Sequence, residues 1–221
     1  MTAKESINPN IPTVTAQDTA SKVLEWMDDF KVDQLPYTES GKYLGLVKRN
    51  TLELLLDEES ILEGIELYHS SINATENQHF FEALSLAGEY LLEVVPVLNS
   101  EKEYLGAINM RDVATMIAKS FAVNSIGSIF TLSIEGIHYS LAEISRIVES
   151  NNARVLSSFV EIDKDSPSKL LVTLKVNTKE LKFILATFER FNYHIVAHYL
   201  DDTIEDGSKE RLGILLKYLE I

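Results

Sequence analysis

Asp112 closes the stretch GAINMRD, residues 106–112, in which a glycine, a short apolar run and an asparagine lead into what reads as the first turn of a helix. A helix start leaves backbone N–H groups unpaired and carries the positive end of the helix dipole, a setting that suits phosphate. A carboxylate three residues past Asn109 lies one turn along the same face, where it can accept hydrogen bonds from a ribose diol. The same carboxylate would also favour a helix's first turn by charge alone. Residues 45–52, GLVKRNTL, repeat the pattern with Lys48 at the asparagine position, Arg49 after it and Thr51 at the acid position. Two cations there could neutralise a phosphate, but the diol acceptor is gone.

Nothing else in the chain assembles a catalytic set. There is no Gly-x-x-x-x-Gly-Lys loop, Gly-x-Gly-x-x-Gly turn or Gly-x-Ser-x-Gly elbow. The absence of cysteine removes disulfides, thiolate metal sites and a cysteine nucleophile. Of the five histidines, His194 and His198 are four apart in a predicted strand. They share a face there but lie roughly 13 Å apart at about 3.3 Å per residue, too far to share a metal. His69 and His79 flank the loop SSINATEN with nothing that fixes a role for either. Glu53, Asp57, Glu58, Glu59, Glu63 and Glu66 lack the glycine spacing of a metal loop and read as a solvated helix face and the loop after it. No catalytic residue and no metal ligand is expected.

The charge balance narrows the partners. Twenty Lys/Arg against 34 Asp/Glu give −14; residues 1–126 hold 9 against 20, or −11, and residues 127–221 hold 11 against 14, or −3. Such a surface repels polyanions and argues against nucleic acid, although a local cradle of donors can still hold a single nucleotide. At 221 residues, 45% apolar and 24% charged, the chain suits two modest soluble domains. No stretch approaches the roughly 20 apolar residues of a membrane helix, and MTAKESINPNIP carries no signal-peptide core. A cytoplasmic protein with no membrane partner is expected.

The elements that must position Asp112 come in two copies. Thr15, Val23, Leu24 and Pro36 fall on Thr75, Ala83, Leu84 and Pro96 at a shift of 60. Tyr43, Leu44, Gly45, Leu46 and Val47 fall on Tyr104, Leu105, Gly106, Ala107 and Ile108 at 61, one inserted turn residue accounting for the change. Each copy reads as a short extended lead-in, a helix, a strand, a tight turn, a strand and a helix. Ala20, Val23, Leu24 and Met27, and then Phe80, Ala83, Leu84 and Ala87, recur at helical spacing. Asp18 stands at the expected N-cap of the first helix. Leu52, Leu55 and Leu56 in one copy, and Val113, Met116 and Ile117 in the other, mark the closing helices. Pro36 and Pro96 each remove a ladder donor, which puts their strands at a sheet edge or ends them there.

This doubled pattern, over residues 9–122, resembles a tandem pair of CBS domains, a regulatory module that often binds adenosine-type ligands. In that family the second strand runs into Gly-h-h-Ser/Thr-x-x-Asp, the hydroxyl serving phosphate and the acid the ribose. The resemblance implies one site around Asp112, with Asn109 at the hydroxyl position and Met110 and Arg111 between them. It also implies Thr75, Val95, Pro96 and Val97 as adenine and backbone neighbours; Lys48 and Arg49, the cations of the first copy, complete the expected nucleotide-binding set. The implied ligand is AMP, ATP or another adenosyl compound, with no further cofactor. The CBS units would span 1–65 and 66–124, paired by a pseudo-twofold.

From residue 127 the pattern changes. In SIFTLSIEG, Phe130, Leu132 and Ile134 alternate with Ile129, Thr131, Ser133 and Glu135, which reads as a half-buried strand. A helix follows with Leu141, Ile144 and Val148 on one stripe, Ser140 as N-cap and Glu143 completing a capping box. Two strands joined by a turn with Pro167, a helix with Leu181, Ile184, Leu185 and Phe188, and the strand YHIVAHYLDD complete a βαββαβ order of ferredoxin-like type. The sheet face away from the helices carries Thr131, Ser133, Thr173 and Lys175 beside Ile129 and Leu171, a mixture a partner copy could cover. Residues 127–202 resemble an ACT domain, carried by FTLSIEGIHYSLAEISRIVESNNARVLS. The resemblance implies an effector loop at Gly136, Ile137, His138, Tyr139, Ser140 and Leu141. Ligand-binding members usually present a glycine where His138 and Tyr139 stand, and here the Tyr139 side chain is expected to fill the pocket instead.

A tail at 203–221, with Leu212, Leu215, Leu216 and Leu219 as an apolar stripe, reads as a terminal helix. The domain order resembles that of AcuB-type acetoin-utilisation and related CBS–ACT regulatory proteins. The expected fold is α+β, a pair of CBS-type units followed by an ACT-like domain. The expected role is non-catalytic ligand sensing, as a homodimer that reports to an enzyme. The competing role is a structural module that assembles or recruits without binding a small ligand.

Overall fold

Two helices of equal length frame the first half, α1 (Ala20–Phe30) and α3 (Phe80–Tyr90). The computed structural model describes residues 1–55, 57 and 59–200, so Leu56, Glu58 and the terminal helix expected over 203–221 lie outside the described residues. α1 buries Ala20, Val23 and Met27, and α3 buries Phe80, Ala83 and Ala87. Leu84, expected on that stripe, is 38% exposed.

Thr19, one residue past the expected cap, closes the start of α1 by accepting from the Lys22 N–H at 3.4 Å. Asp18 is spent on the preceding turn. Its carboxylate accepts from the Thr15 N–H and hydroxyl at 2.9 and 2.8 Å and from Lys22 Nζ at 2.7 Å. His79 caps α3, its ring nitrogen accepting from the Phe81 N–H at 3.4 Å. Both helices end on a left-handed residue at φ 54°, Lys31 and Leu91. Val32 and Leu92 then return their N–H groups to Met27 and Ala87 at 3.0 Å.

β1 (Gln34–Glu39) and β2 (Lys42–Lys48) form an antiparallel hairpin, turned by Ser40 and Gly41 at φ 49° and 79°. β3 (Ala74–Thr75), β4 (Val94–Leu98) and β5 (Tyr104–Asn109) form the corresponding sheet in that order. Pro96 therefore lies in a central strand, contrary to the edge position expected from its missing N–H. The geometry tolerates it because β3 pairs only with Val97 and Leu98, beyond the proline. Pro36 is flanked likewise, its carbonyl accepting from the Val14 N–H at 2.8 Å.

The closing helices are unequal. α4 (Met110–Ser120) has eleven residues, whereas α2 (Arg49–Glu53) has five and stops before Leu55, which the sequence pattern had placed on it. After Glu53 the chain must return to lay Ser60 and Leu62 beside the start of α1. The Ala20 N–H donates to the Ser60 carbonyl at 3.4 Å and the Leu62 N–H to the Asp18 carbonyl at 3.1 Å.

That return belongs to a reciprocal exchange. Residues 60–72, which lead into the second copy, pack on the first; residues 1–11, which lead into the first, pack on the second. Tyr68 bridges Leu46 through both backbone groups at 2.9 and 2.7 Å. Sixty residues earlier, the Asn8 N–H donates to the Ala107 carbonyl at 2.9 Å. The glycines explain the closeness. A Cβ on Gly45 would sit 2.9 Å from Leu67 Cβ, and one on Gly106, at φ 148°, would sit 2.5 Å from Ile7 Cγ2.

The two copies meet through equivalent residues. Tyr43 stacks on Tyr104, Lys42 bridges Glu103, and the Asp33 N–H donates to the Glu93 carboxylate. A continuous apolar core runs beneath, with Leu35, Leu46, Val95 and Ile108 fully buried; such side chains contribute about 1.5–3 kcal/mol each.

The chain divides into two compact units, Met1–Ile117 and a second from Ala118. The second contains β6 (Ser128–Glu135), α5 (Leu141–Ser150), β7 (Val155–Ile162), β8 (Lys169–Val176), α6 (Lys182–Arg190) and β9 (His194–Tyr199). Its antiparallel sheet has the order β7-β8-β6-β9, so the chain order is βαββαβ. Phe130, Leu132 and Ile134 of β6 face Ile144 and Val148 of α5 and Ile184 and Phe188 of α6 in one core. Ser140 caps α5, accepting from the Glu143 N–H at 3.3 Å. A bulge in β9 pairs His194 with Ser133 but His198 with Phe130. The two histidines therefore face opposite sides of the sheet, where a regular strand would have put them on the same one.

Candidate functional site

The junction of β5 and α4 is built by its neighbours on both sides. The Met110 N–H donates to the Glu93 carbonyl at 2.9 Å, and the Glu93 carboxylate reaches across to Asp33 of the first copy. Asn109 is buried, and its side-chain oxygen accepts from the Arg111 N–H at 2.9 Å, so it caps α4 itself. Arg111 and Asp112 are exposed. Asn8 Nδ2 donates to Asp112 Oδ2 at 2.7 Å. Among the described residues, nothing donates to the other carboxylate oxygen. An anchored carboxylate with one open oxygen, on the first turn of a helix long enough to carry a dipole, can accept a pair of vicinal hydroxyls.

The equivalent place in the first copy is filled. Tyr68, equivalent to Asn8, lies with its ring 4.2 Å from Lys48 Nζ, and Lys48 is equivalent to Asn109. The Tyr68 hydroxyl donates to Glu66 at 2.9 Å and accepts from the Thr51 hydroxyl at 3.4 Å, Thr51 being equivalent to Asp112. Arg49 is committed elsewhere, its Nε to Asp33 at 2.6 Å and its guanidinium to Asp28 at 2.9 Å.

The other residues singled out in the sequence are dispersed. Val95, Pro96 and Val97 are buried in β4 and present no side chain to solvent. Thr75 pairs with Leu98, at the opposite end of β4 from the Val94–Asn109 pair. Four residue steps along the strand separate those pairs, roughly 13 Å. Asn8 and Tyr68 had not been singled out. Their signal was the extension of the 60-residue shift upstream, where Ile7 and Leu67 match although their neighbours do not.

In the second unit, Gly136–His138 form a 3-10 turn held by the Gly136 N–H on the Ser168 carbonyl at 2.8 Å. Tyr139 packs against the core, and Ile137 is 90% exposed. His138 lines a cleft of about 490 Å³ with Glu135, Glu143, Lys169, Tyr193 and His194. Burial, together with the charge of Glu143 and a hydrogen bond to it, pushes the Tyr193 phenol upward. Ser140 is occupied in capping, and Leu141 turns to solvent. No helix among the described residues is long and apolar enough to cross a membrane, and no group of three or more acidic or histidine side chains there is placed to hold a metal ion.

No family model and no curated protein matches the chain. Solved structures do. A CBS domain pair/ACT domain protein from Thermotoga maritima is 22% identical, with 54% of this chain and 98% of that one covered and a TM-score of 0.48. An acetoin utilization protein (AcuB) from Vibrio cholerae is 16% identical over 56% of this chain and 95% of that one, with a TM-score of 0.47. A CBS domain pair in complex with 5′-methylthioadenosine and S-adenosyl-L-methionine is 16% identical over 54% and 97%, with a TM-score of 0.45. The solved structures that this chain resembles are CBS domain pairs, among them a CBS/ACT protein and an AcuB protein.

Proposed function

We propose that this is a non-catalytic, cytoplasmic regulatory protein whose first unit senses one adenosine-type nucleotide at Asp112. The observation that carries the reading is the exposed Asp112 carboxylate, fixed by Asn8 on one oxygen and open on the other. The ribose diol would donate to that oxygen, and the phosphate would lie toward the start of α4. The reading rests on Asp112, Asn8 and the start of α4, and does not call on Lys48, Arg49, Thr75 or the side chains of Val95, Pro96 and Val97. The second unit is read as an ACT-type reporter, with a small effector in the cleft beside His138. Ligand at Asp112 would shift the packing of the two copies, which requires that it bind one arrangement better than the other.

Calorimetric titration with AMP, ATP and S-adenosylmethionine tests the reading. At least one is expected to bind, and Asp112→Ala to weaken it ten- to hundredfold, since a hydrogen bond to a charged acceptor contributes about 1.5–3 kcal/mol. Equal affinity in the two proteins would overturn it.

A second reading, an assembly module that binds no nucleotide, draws on α3. Phe81 and Leu84 are exposed there and Leu91 just past its end, where α1 carries Ser21 and Leu24 and is followed by Lys31. A homodimer formed through α3 would give self-association by light scattering that nucleotides leave unchanged.

A further inference from the structure

We propose that the chain occupies its own first half-site, with Tyr68 as a built-in plug, so that each chain takes one nucleotide and not two. The inference rests on the Asp112 reading for the identity of the ligand and on the first copy's geometry for the plug.

The pseudo-twofold makes the comparison residue by residue. Asn8 and Tyr68 are equivalent, as are Asn109 and Lys48, and Asp112 and Thr51. In the second copy the lead-in segment sends a short carboxamide to one oxygen of the exposed Asp112 and leaves the other without a donor among the described residues. In the first copy the same position sends a phenol over the same ground. Every polar group there is consumed internally: the ring by the Lys48 ammonium at 4.2 Å, the hydroxyl by Glu66 at 2.9 Å and Thr51 at 3.4 Å. Tyr68 cannot swing away as a whole, because its backbone is bridged to Leu46 on both sides.

The plug also accounts for the cation. The face of the Tyr68 ring offers the Lys48 ammonium a negative quadrupole at 4.2 Å. The helix below has only five residues, so the attraction that α4 offers a phosphate is missing as well. In the first copy the acid is replaced by Thr51, the helix is down to five residues, and the side chain that lies over both is drawn from the exchanged segment.

The test is stoichiometry. Native mass spectrometry and calorimetry with AMP and ATP are expected to give one ligand per wild-type chain. The variant Lys48→Asn/Thr51→Asp/Tyr68→Asn, which transfers the second copy's three residues to the first, is expected to give two. Two ligands on the wild-type chain, or one on a folded transfer variant, would overturn the plug. Ligand on the transfer variant when the wild type binds none would sink the Asp112 reading and leave the plug standing; no ligand on either would sink both. Should the triple variant lose its circular dichroism signal, Tyr68→Ala alone serves. It frees Lys48 and the space, and a second, weaker binding event is expected, whereas Tyr68→Phe, which keeps the ring, should add none. Tyr68→Ala with a single event would overturn the plug.

Discussion

Tyr43 and Tyr104, equivalent residues of the two copies, stack on one another with ring centroids 6.5 Å apart and planes inclined by 20°. A residue that touches its own equivalent marks the position of a local twofold, and these two rings lie in the seam where the copies join. Their environments are unequal. The Tyr43 hydroxyl donates to the His69 carbonyl at 3.0 Å, while the buried Tyr104 hydroxyl makes no well-formed hydrogen bond to a described group. Thr13 lies close by and opposes the upward push of burial on that phenol, and burial is the larger of the two.

The seam should loosen in alkali. Burial pushes the Tyr104 phenol up to about 12, and burial with the neighbouring Tyr104 pushes Tyr43 higher still. A tyrosine ionises near pH 10 when unfolded. With the folded pKa raised, the native state holds its proton longer, so this stability is complete below about pH 10 and falls as pH rises through the folded value. The loss is up to about 1.4 kcal/mol per pH unit per tyrosine. Urea unfolding of the wild type should therefore shift to lower midpoint between about pH 10 and about 12. The Tyr43→Phe/Tyr104→Phe variant should lose most of that dependence. If both proteins respond alike, other groups govern it.

The exchanged lead-in segments predict a specific steric coupling. Alanine at Gly106 would bring its Cβ within 2.5 Å of Ile7 Cγ2, on a backbone at φ 148° that suits glycine. Overpacking of that kind typically costs about 1–3 kcal/mol, before the backbone strain is added. Gly106→Ala should destabilise the first unit by at least that much. Ile7→Ala in the same chain should recover part of the loss, because it removes the clash and leaves the strain. Additive effects in the double variant would show that residues 1–11 do not lie on β5 in solution.

Much of this fold could be read from periodicity, because Val23, Leu24 and Met27, or Ile184, Leu185 and Phe188, recur at i, i+1 and i+4, which a helix places on one face and a strand splits between two. Alternation at Phe130, Leu132 and Ile134 was equally plain. The misplaced features depend on contacts distant in sequence. Asp18 has every property of a cap, but Thr15 and Lys22 claim its carboxylate. His194 and His198 obey the strand period until one bulged residue reverses it. The site was legible on one side only. Asp112 announced itself by its place after an asparagine and a helix start, whereas Asn8 and Tyr68 come to their acid and threonine from about a hundred and about twenty residues away, through an exchange of segments that no local pattern encodes.

Arg49 offers the sharpest separation between charge that stabilises and charge that binds. The sequence places it at a helix start beside Lys48, where a phosphate could be met. The structure turns its guanidinium to Asp33 and Asp28, and the hydrogen bond it donates to Asp33, with a further one donated to Asp28, holds its proton more firmly despite the cost of desolvation. Both carboxylates are largely exposed, at 66% and 70%, so water and salt screen the pairs. Exposed pairs typically contribute about 0.2–1 kcal/mol each. Arg49→Ala should accordingly lower stability by about 1 kcal/mol or less, an effect that shrinks in 0.5 M salt on the order of the screening expected at that ionic strength. Its nucleotide affinity should stay within about twofold of wild type, under 0.5 kcal/mol, while Asp112→Ala loses tenfold or more. A tenfold loss in Arg49→Ala would mean that ligand draws the guanidinium away from Asp33, and that the first copy contributes a cation to the site after all.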